Sequence, residues 1–209
     1  MSNDAAKSLD VVYAASSPKD VAERYDAWAK RYDVEMASLG YRHPTICLAM
    51  LTRHLPKGAG PVLDAGAGTG LLGEWMAIAG YDAAEALDIS EGMLEVARSK
   101  GVYQACRYGV MGETLPFEDN HFGAVVSAGV FTTGHVGAEG FAELVRITRS
   151  GGVLVITVKD TLWDGDVGAS IVAMAKDGIW DILEETPSYV SMPGRPDTVP
   201  SRAVVLKVR

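Results

Sequence analysis

The sequence predicts an α/β fold in which a doubly wound, mostly parallel sheet carries helices on both faces. Two observations predict it. From Pro61 onwards, short apolar runs alternate with amphipathic helical stretches, and the first run leads directly into a glycine-rich turn. Continuous apolar strands separated by such helices are typical of a parallel sheet that is covered on both sides. We therefore expect a sheet core after an N-terminal helical region.

The length of 209 residues leaves room for one sizeable domain and not for a second large one. We expect a single domain over 1–209, and its first segment, 1–17, is small, polar and weakly periodic, which predicts a flexible tail. N-terminal helices follow over 18–56, a ligand-binding core over 57–160, and a C-terminal part over 161–209 that completes the sheet.

The N-terminal helices are predicted from side-chain spacing. The segment Pro18 to Met36 should be a helix because apolar and aromatic residues recur on one face at steps of three and four. These residues are Val21, Tyr25, Trp28, Ala29 and Tyr32. A second helix should run from Pro44 to Leu55, where Pro56-Lys57-Gly58 ends it.

The remaining elements follow from the alternation of strand and helix patterns. The predicted strands are Pro61 to Ala65, Ala83 to Leu87, Tyr103 to Val110, Gly123 to Ala128, Val153 to Val158, Glu184 to Met192 and Ser201 to Arg209. The predicted helices between them are Leu71 to Ala79, Glu91 to Ser99, Glu139 to Arg149 and Gly168 to Lys176. The segment Pro193 to Pro200, rich in proline and glycine, predicts a hairpin loop. These make seven strands.

The glycine-rich turn carries the strongest chemical signal. The run Val62-Leu63-Asp64-Ala65-Gly66-Ala67-Gly68-Thr69-Gly70 joins a strand to a helix, and its glycines permit positive φ and close approach of a ligand. Asp88 ends the next strand, 24 positions after Asp64, where a carboxylate can accept both hydroxyls of a ribose. The acidic residue before the turn suits an adenosine with a cationic tail better than a pyrophosphate. A dinucleotide or adenosine site is therefore predicted.

With these motifs the sequence resembles the class I (Rossmann-like) S-adenosylmethionine-dependent methyltransferases, over roughly Tyr25 to Val158. In detail it looks similar to the methyltransferase-like proteins typified by the Williams-Beuren syndrome region 27 protein. The matching stretches are 25–33, the glycine turn, 87–94 and 151–154. The resemblance implies a Rossmann-like methyltransferase fold with an antiparallel last strand, an N-terminal helical lid over 18–56, a cofactor-binding core, and an acceptor pocket completed by 161–209.

The resemblance also implies the cofactor, S-adenosylmethionine, with S-adenosylhomocysteine as product, and assigns residues to it. Gly66, Ala67 and Gly68 would line its methionine part, with Asp64 near the ammonium group and Asp88 on the ribose. Ile89 and Met93 would pack on adenine, although ordinary core packing explains them equally well. Many relatives carry an aspartate for the adenine amino group where this chain has Met111, which leaves the backbone of Gly112 and Glu113 for that contact. The candidate cofactor-binding residues are Tyr25, Trp28, Tyr32, Asp64, Ala65, Gly66, Ala67, Gly68, Asp88, Ile89, Met93, Met111, Gly112, Glu113 and Ala128.

The acceptor side is predicted from position and chemistry. The exit of the fourth strand, Ser127 to His135, lies where open parallel sheets place ligands. Methyl transfer is an in-line displacement, so the enzyme mainly aligns the reactants and removes a proton where needed. His135 is the candidate general base, and a surface histidine in a glycine-flanked loop is the alternative. We favour an aromatic lid formed by Tyr25, Trp28 and Tyr32 over plain helix packing on the sheet.

Charge and missing motifs narrow the acceptor. A formal net charge of −8 disfavours binding to a nucleic-acid backbone. The basic cluster Arg42, His43, Arg53, His54 and Lys57 is interpreted as ordinary helix-surface charge. The chain lacks the Asn-Pro-Pro-Tyr loop and the Pro-Cys nucleophile of nucleic-acid methylation. We therefore expect a small-molecule acceptor and no nucleic-acid partner.

Other classes are weighed on the same basis. The chain has neither a Tyr-x-x-x-Lys pair nor a phosphate-binding loop, which argues against a nicotinamide reductase and a nucleotide hydrolase. A non-catalytic protein that binds S-adenosylmethionine as a sensor or partner subunit stays open. Cys47 and Cys106 match no zinc spacing, so no metal is expected. No signal peptide or long apolar run is visible, and we expect a cytoplasmic monomer or homodimer with no membrane partner.

Overall fold

The computed structural model describes residues 2–132 and 134–209, and these residues form a seven-stranded sheet. Its strands are β1 (Val62–Ala65), β2 (Ala84–Asp88), β3 (Ala105–Tyr108), β4 (Phe122–Phe131), β5 (Thr148–Lys159), β6 (Trp180–Glu185) and β7 (Ser201–Val208). Their order in the sheet is β3-β2-β1-β4-β5-β7-β6. Only the pairs that involve β7 are antiparallel. The predicted fold class, including the antiparallel last strand, is confirmed.

The sheet order creates a crevice at one edge. β1 pairs in parallel with β2 on one side and with β4 on the other, so the chain changes the direction in which it builds the sheet. The carboxyl ends of these three strands meet at the same edge, and the helices that follow them diverge to opposite faces. Open α/β sheets bind their ligands at such a switch point.

Helices cover both faces of the sheet. They are α1 (Ser2–Tyr13), α2 (Pro18–Ser38), α3 (His43–His54), α4 (Leu71–Ile78), α5 (Glu91–Lys100), α6 (Phe141–Ile147), α7 (Asp160–Trp163) and α8 (Asp166–Lys176). One core cluster joins α6 and α8 to the sheet through Phe141, Leu144 and Ile171. A second joins α3 and α4 to the opposite face through Met50 and Met76.

The helix α2 begins where its sequence provides a cap. Ser17 is extended and its hydroxyl accepts a hydrogen bond from the Asp20 backbone N–H at 3.2 Å, while Pro18 occupies the first turn, where no amide donor is needed. The predicted helix from Pro18 is confirmed and ends at Ser38, two residues beyond the predicted end. The second predicted helix is also confirmed, with bounds shifted by one residue.

The predicted flexible tail is wrong for residues 2–13, which form α1. Ala5, Leu9 and Val12 recur at steps of four and three, and each is at most 3% exposed. They pack in a cluster with Trp28 and Met192, residues far away in the sequence. The helix is therefore stabilised by tertiary packing that its own weak periodicity does not indicate. Met1, also part of that prediction, lies outside the described residues.

The predicted strand Glu184 to Met192 is wrong in position. The sixth strand is Trp180–Glu185, and the residues after it form only an isolated bridge between Tyr189 and Ser201. Trp180 fixes the strand because its side chain is fully buried and its indole N–H donates to the Ile171 carbonyl at 3.0 Å. The predicted helix Glu139 to Arg149 is shorter, since β5 already begins at Thr148.

Candidate functional site

A cavity of about 400 Å³ opens at the carboxyl ends of β1, β2 and β4, and α2 covers it. This volume lies within the range of about 300–1,000 Å³ that is usual for ligand pockets. The predicted site residues that line it are Tyr25, Tyr32, Gly66, Gly68, Asp88, Ile89, Met93, Met111, Ala128 and His135. The structure thus brings together residues from six separate segments of the chain.

The glycine-rich turn forms one wall with its backbone. Gly66 and Gly68 have φ of 78° and 54°, values that favour glycine. A Cβ atom on Gly66 would lie 2.2 Å from a methyl group of Val130, whereas a Cβ on Gly68 would meet nothing within 4 Å. Gly66 is therefore required by close packing, while Gly68 leaves open space in the cavity.

Asp88 lies between the glycine turn and the start of α5. Its Oδ2 accepts a hydrogen bond from the Gly68 N–H at 2.7 Å, and its Oδ1 accepts one from the Ser90 N–H at 2.8 Å. Burial raises the pKa of Asp88 to about 6, although the backbone hydrogen bonds partly offset that effect. Each carboxylate oxygen retains a second lone pair, so Asp88 can accept hydrogen bonds from a ligand in the cavity.

The wall next to Asp88 is apolar. Ile89 follows Asp88 directly, Met93 lies one turn into α5 and is 1% exposed, and Met111 comes from the loop after β3. The segment Leu87 to Met93 thus supplies one polar and three apolar residues to the cavity, namely Asp88 with Leu87, Ile89 and Met93. This arrangement fits a flat apolar ring attached to a polyhydroxyl group.

The inner face of α2 supplies aromatic side chains to the cavity. Tyr25 and Tyr32, two turns apart, both line it. Trp28 lies behind them: it is 3% exposed, stacks on Tyr25 at a centroid distance of 6.1 Å, and donates its indole N–H to Glu35 at 2.7 Å. Trp28 therefore supports the aromatic wall without lining the cavity.

Two aspartates that are not among the predicted site residues attach α2 to the core. Asp26 Oδ1 accepts hydrogen bonds from the Ser90 hydroxyl at 2.6 Å and the Gly92 N–H at 2.8 Å. Asp33 accepts one from the Thr69 hydroxyl and forms an ion pair with Lys100 at 2.7 Å. Each aspartate directly follows a cavity tyrosine, so the repeated Tyr-Asp pair at a spacing of seven residues is the signal that could have found them.

His135 lies in the cavity wall, in the segment that follows β4. Its Nε2 is 3.1 Å from the Tyr25 hydroxyl oxygen, and its ring contacts Tyr13 edge-on at a centroid distance of 5.8 Å. Burial raises the pKa of Tyr25 well above its ordinary value, so Tyr25 keeps its proton. When the Nε2–H of His135 donates to the Tyr25 hydroxyl oxygen, the basic lone pair of the neutral imidazole lies on Nδ1. The geometry thus pairs a neutral hydroxyl with an imidazole that can act as a base through Nδ1.

Six predicted cofactor-binding residues do not line the cavity: Trp28, Asp64, Ala65, Ala67, Gly112 and Glu113. The Asp64 carboxylate is 1% exposed and accepts a hydrogen bond from the Tyr103 hydroxyl at 2.6 Å. Burial raises the pKa of Asp64 to about 7. Within the described ranges, no group of three metal-ligating side chains could hold an ion, and no helix is long and apolar enough to cross a membrane.

The sequence is similar to several known proteins. A family model described as a methyltransferase domain matches residues 63–156. Human (Homo sapiens) methyltransferase-like protein 27 is 32% identical over 189 residues, which cover 84% of this chain and 76% of that protein. A demethylmenaquinone methyltransferase of Corynebacterium urealyticum is 36% identical over 141 residues, which cover 66% of this chain and only 59% of that relative's length.

The fold also has solved counterparts. The crystal structure of a TehB-like SAM-dependent methyltransferase from Corynebacterium glutamicum has a TM-score of 0.64. The alignment covers 90% of this chain and 99% of that chain at 20% sequence identity, so it bears on the fold alone.

Proposed function

Because the chain belongs to the class I S-adenosylmethionine-dependent methyltransferases, the family that includes methyltransferase-like protein 27, we propose that it methylates a small-molecule acceptor. The observation that carries this proposal is the cavity of about 400 Å³, which is lined by Asp88 and by the Tyr25–His135 pair. The net charge of −8 argues against a nucleic-acid acceptor, and relatives named demethylmenaquinone methyltransferases support a small one.

The cofactor, S-adenosylmethionine, suits the residues of the cavity. Asp88 takes the ribose hydroxyls with its remaining lone pairs. Ile89, Met93 and Met111 hold the adenine ring, and the open backbone at Gly68 accommodates the methionine part. The Asp64 carboxylate is hydrogen-bonded to Tyr103 and does not line the cavity. It therefore acts on the ammonium group through its charge and not by direct contact.

When bound, the cofactor supplies an electrophilic methyl group on a sulfonium. The protein aligns the acceptor and excludes water, which α2 does by covering the cavity. The ring faces of Tyr25 and Tyr32 stabilise positive charge beside them. His135, oriented by the Tyr25 hydroxyl, accepts a proton from the acceptor nucleophile.

Calorimetric titration tests the cofactor site. We expect the wild-type protein to bind S-adenosylmethionine and S-adenosylhomocysteine at micromolar concentrations and not to bind NAD. Asp88→Ala should weaken both affinities at least about tenfold, since hydrogen bonds to a charged group contribute about 1.5–3 kcal/mol. Asp82→Ala, at an exposed position before β2, should change nothing. Equal binding by Asp88→Ala, or preference for NAD, would refute the site.

Turnover tests the assignment of His135. Purified protein is incubated with S-adenosylmethionine and pooled small-molecule extracts, and S-adenosylhomocysteine is quantified by mass spectrometry. His135→Ala should lower product formation about 100-fold or more without changing the affinity for S-adenosylhomocysteine. His121→Ala, an exposed histidine elsewhere, serves as control. Full turnover by His135→Ala would exclude it as the base, and binding without product in any pool would favour a non-catalytic protein.

A further inference from the structure

A second, smaller cavity lies behind the aromatic wall. Its volume is about 30 Å³, and it shares Tyr25, Tyr32 and Gly129 with the main cavity. The remaining walls come from α1, from the end of α2 and the start of α3, from the ends of β4 and β5, and from the segment 191–201. Since one water needs about 10–15 Å³ measured in this way, the space corresponds to about two oxygen atoms.

The cavity holds buried hydroxyl groups that lack partners. Ser191 and Ser201 are both fully buried and line the cavity, and neither hydroxyl has a hydrogen-bond partner among residues 2–132 and 134–209. Buried polar groups in folded proteins are nearly always hydrogen-bonded. Two such hydroxyls at one small cavity indicate that a polar group from outside the chain binds there.

A cation lines the same cavity. Lys159, the last residue of β5, points its ammonium group at the ring of Tyr13, 4.2 Å from the centroid, and no ion pair joins it to a carboxylate of the described chain. The carboxylate of Asp197 acts on it at longer range but is paired with Arg195. Burial and the Arg195 charge both lower the pKa of Lys159. Lys159 thus has no direct ion pair within the described residues, since the nearby carboxylates of Asp197 and Asp10 both bind Arg195.

The other basic side chain of the cavity adds no charge. His43 is hydrogen-bonded to the Tyr189 hydroxyl at 2.7 Å, and burial, together with the charge of Lys159, lowers its pKa to about 3. His43 is therefore neutral at physiological pH. Lys159 is therefore the side chain that gives the cavity lining a positive charge.

We propose that this cavity is a subsite for one carboxylate group, held by the ammonium of Lys159 and the hydroxyls of Ser191 and Ser201. Its size matches two oxygens, whereas a phosphate carries four. The carboxylate comes from a ligand of the main cavity, either the methionine end of the cofactor or an acidic acceptor. Only the choice between these two sources rests on the proposed function.

Formate, the smallest carboxylate, is the probe for the subsite. It replaces chloride at constant ionic strength while thermal unfolding of the cofactor-free protein is followed. We expect a saturable increase in Tm for the wild-type protein and for Lys176→Met, an exposed lysine on α8. The increase should be absent in Lys159→Met and need at least tenfold more formate in Ser191→Ala/Ser201→Ala. No saturable increase, or an equal one in Lys159→Met, would mean that the cavity holds water only.

Two further measurements identify the source of the carboxylate. If the cofactor supplies it, saturating S-adenosylhomocysteine abolishes the formate effect. Lys159→Met then weakens S-adenosylhomocysteine at least tenfold but leaves 5′-methylthioadenosine, which lacks the amino-acid end, unchanged. If the acceptor supplies it, formate still binds to the S-adenosylhomocysteine complex and Lys159→Met changes neither affinity. Both results support the subsite.

The variants and the ligands distinguish a failure of the subsite proposal from misfolding of a variant and from a failure of the proposed function. Lys159→Met should fold, because it replaces a half-buried cation beside Arg195 by an apolar side chain of similar length, and an unchanged circular dichroism spectrum checks this. If formate binds while S-adenosylhomocysteine does not, the proposed function fails and the subsite stands. If S-adenosylhomocysteine binds while formate does not, the subsite proposal fails and the proposed function stands.

Discussion

Two carboxyl groups at the ends of neighbouring strands are held in unfavourable surroundings. Asp64 and Asp88 are both buried, and burial raises their pKa values to about 7 and about 6, whereas an aspartate in the unfolded chain has a pKa of 3.8. A raised pKa means that the folded state binds protons more tightly than the unfolded state. Ionising these two groups, which lie beside the ligand cavity, therefore lowers the free energy of unfolding.

This cost predicts a pH dependence of stability. Between pH 5 and pH 7.5 the folded protein holds more protons on Asp64 and Asp88 than the unfolded chain, so the free energy of unfolding falls as pH rises. We expect a decrease of about 4 kcal/mol over this range, measured by urea unfolding. Asp88→Asn should remove part of the decrease. A stability that rises with pH across this window would contradict the assignment.

Two glycines allow the effect of backbone strain on stability to be measured separately from the effect of a side chain on ligand binding. Gly68 and Gly58 both have positive φ, 54° and 73°, and a Cβ on either meets no atom within 4 Å. Gly68→Ala and Gly58→Ala should therefore destabilise the fold by a similar amount, about 1 kcal/mol. Only Gly68 lines the cavity, so only Gly68→Ala should weaken S-adenosylhomocysteine, by at least about tenfold in calorimetry. Equal affinities of the two variants would exclude Gly68 from the site.

Among the elements, the helix α2 both lines the cavity and is attached to neighbouring helices by polar contacts. The tyrosines of its two Tyr-Asp pairs line the cavity, and the aspartates bind the starts of α4 and α5 and the end of α5. Since these helix starts lie next to the glycine turn and Asp88, the anchors fix the tyrosines relative to the ligand-binding backbone. The position of α2 is thus set by polar contacts as well as by apolar packing.

Removing one anchor should loosen α2. Asp33→Ala breaks the bonds to Thr69 and Lys100, and we expect a loss of about 1 kcal/mol in the docking of the helix. Amide hydrogen exchange within α2 should become faster, and the affinity for S-adenosylhomocysteine should fall about fivefold. Glu23→Ala, on the exposed face of the same helix, is the control. Unchanged exchange in Asp33→Ala would show that packing alone positions α2.

The sequence predicts the elements whose signals are local. The strands from Pro61 to Val158 are predictable because their apolar runs are bounded by turns, and the place of Asp88 at the cavity is predictable because it ends a strand. By contrast, α1 depends on contacts with Met192, and β6 depends on the burial of Trp180 against α8. Such pairings join distant parts of the chain, which one sequence does not specify.

The same distinction applies to the site. The glycine turn and the segment after β2 form their parts of the cavity within a few residues, so motif spacing predicts them. Ala15 to Pro18 and Val136 also line the cavity, but only because α1 docks on α2 and the loop after β4 folds back. Asp64 does not line the cavity, and its partner Tyr103 comes from another segment, which motif spacing does not reveal.

At the scale of the whole molecule, the two ends of the chain together close the cavity. α1 packs on α2 and on Met192, and Arg195 forms an ion pair with Asp10 at 2.7 Å. The turn between α1 and α2 then covers the cavity opening. Access to the site therefore depends on how firmly α1 is docked.

Two positions on α1 test this dependence. Leu9 is 3% exposed and packs in the N-terminal cluster, while Val11 on the same helix is 54% exposed. Leu9→Ala should undock α1 at a cost of about 2 kcal/mol or more and weaken S-adenosylhomocysteine about fivefold to tenfold. Val11→Ala should have no effect on calorimetric affinity. If Leu9→Ala binds as tightly as Val11→Ala, α1 does not control the site.

The stacking of Trp28 on Tyr25 gives the protein an optical reporter of its own. Because the indole of Trp28 contacts a wall residue, a ligand that shifts Tyr25 changes the fluorescence of that indole. The other tryptophans, Trp75, Trp163 and Trp180, do not line the cavity and contribute constant emission. We expect intrinsic fluorescence to change on addition of S-adenosylhomocysteine and to stay constant in Trp28→Phe. Occupancy of the site can then be followed in real time without any label.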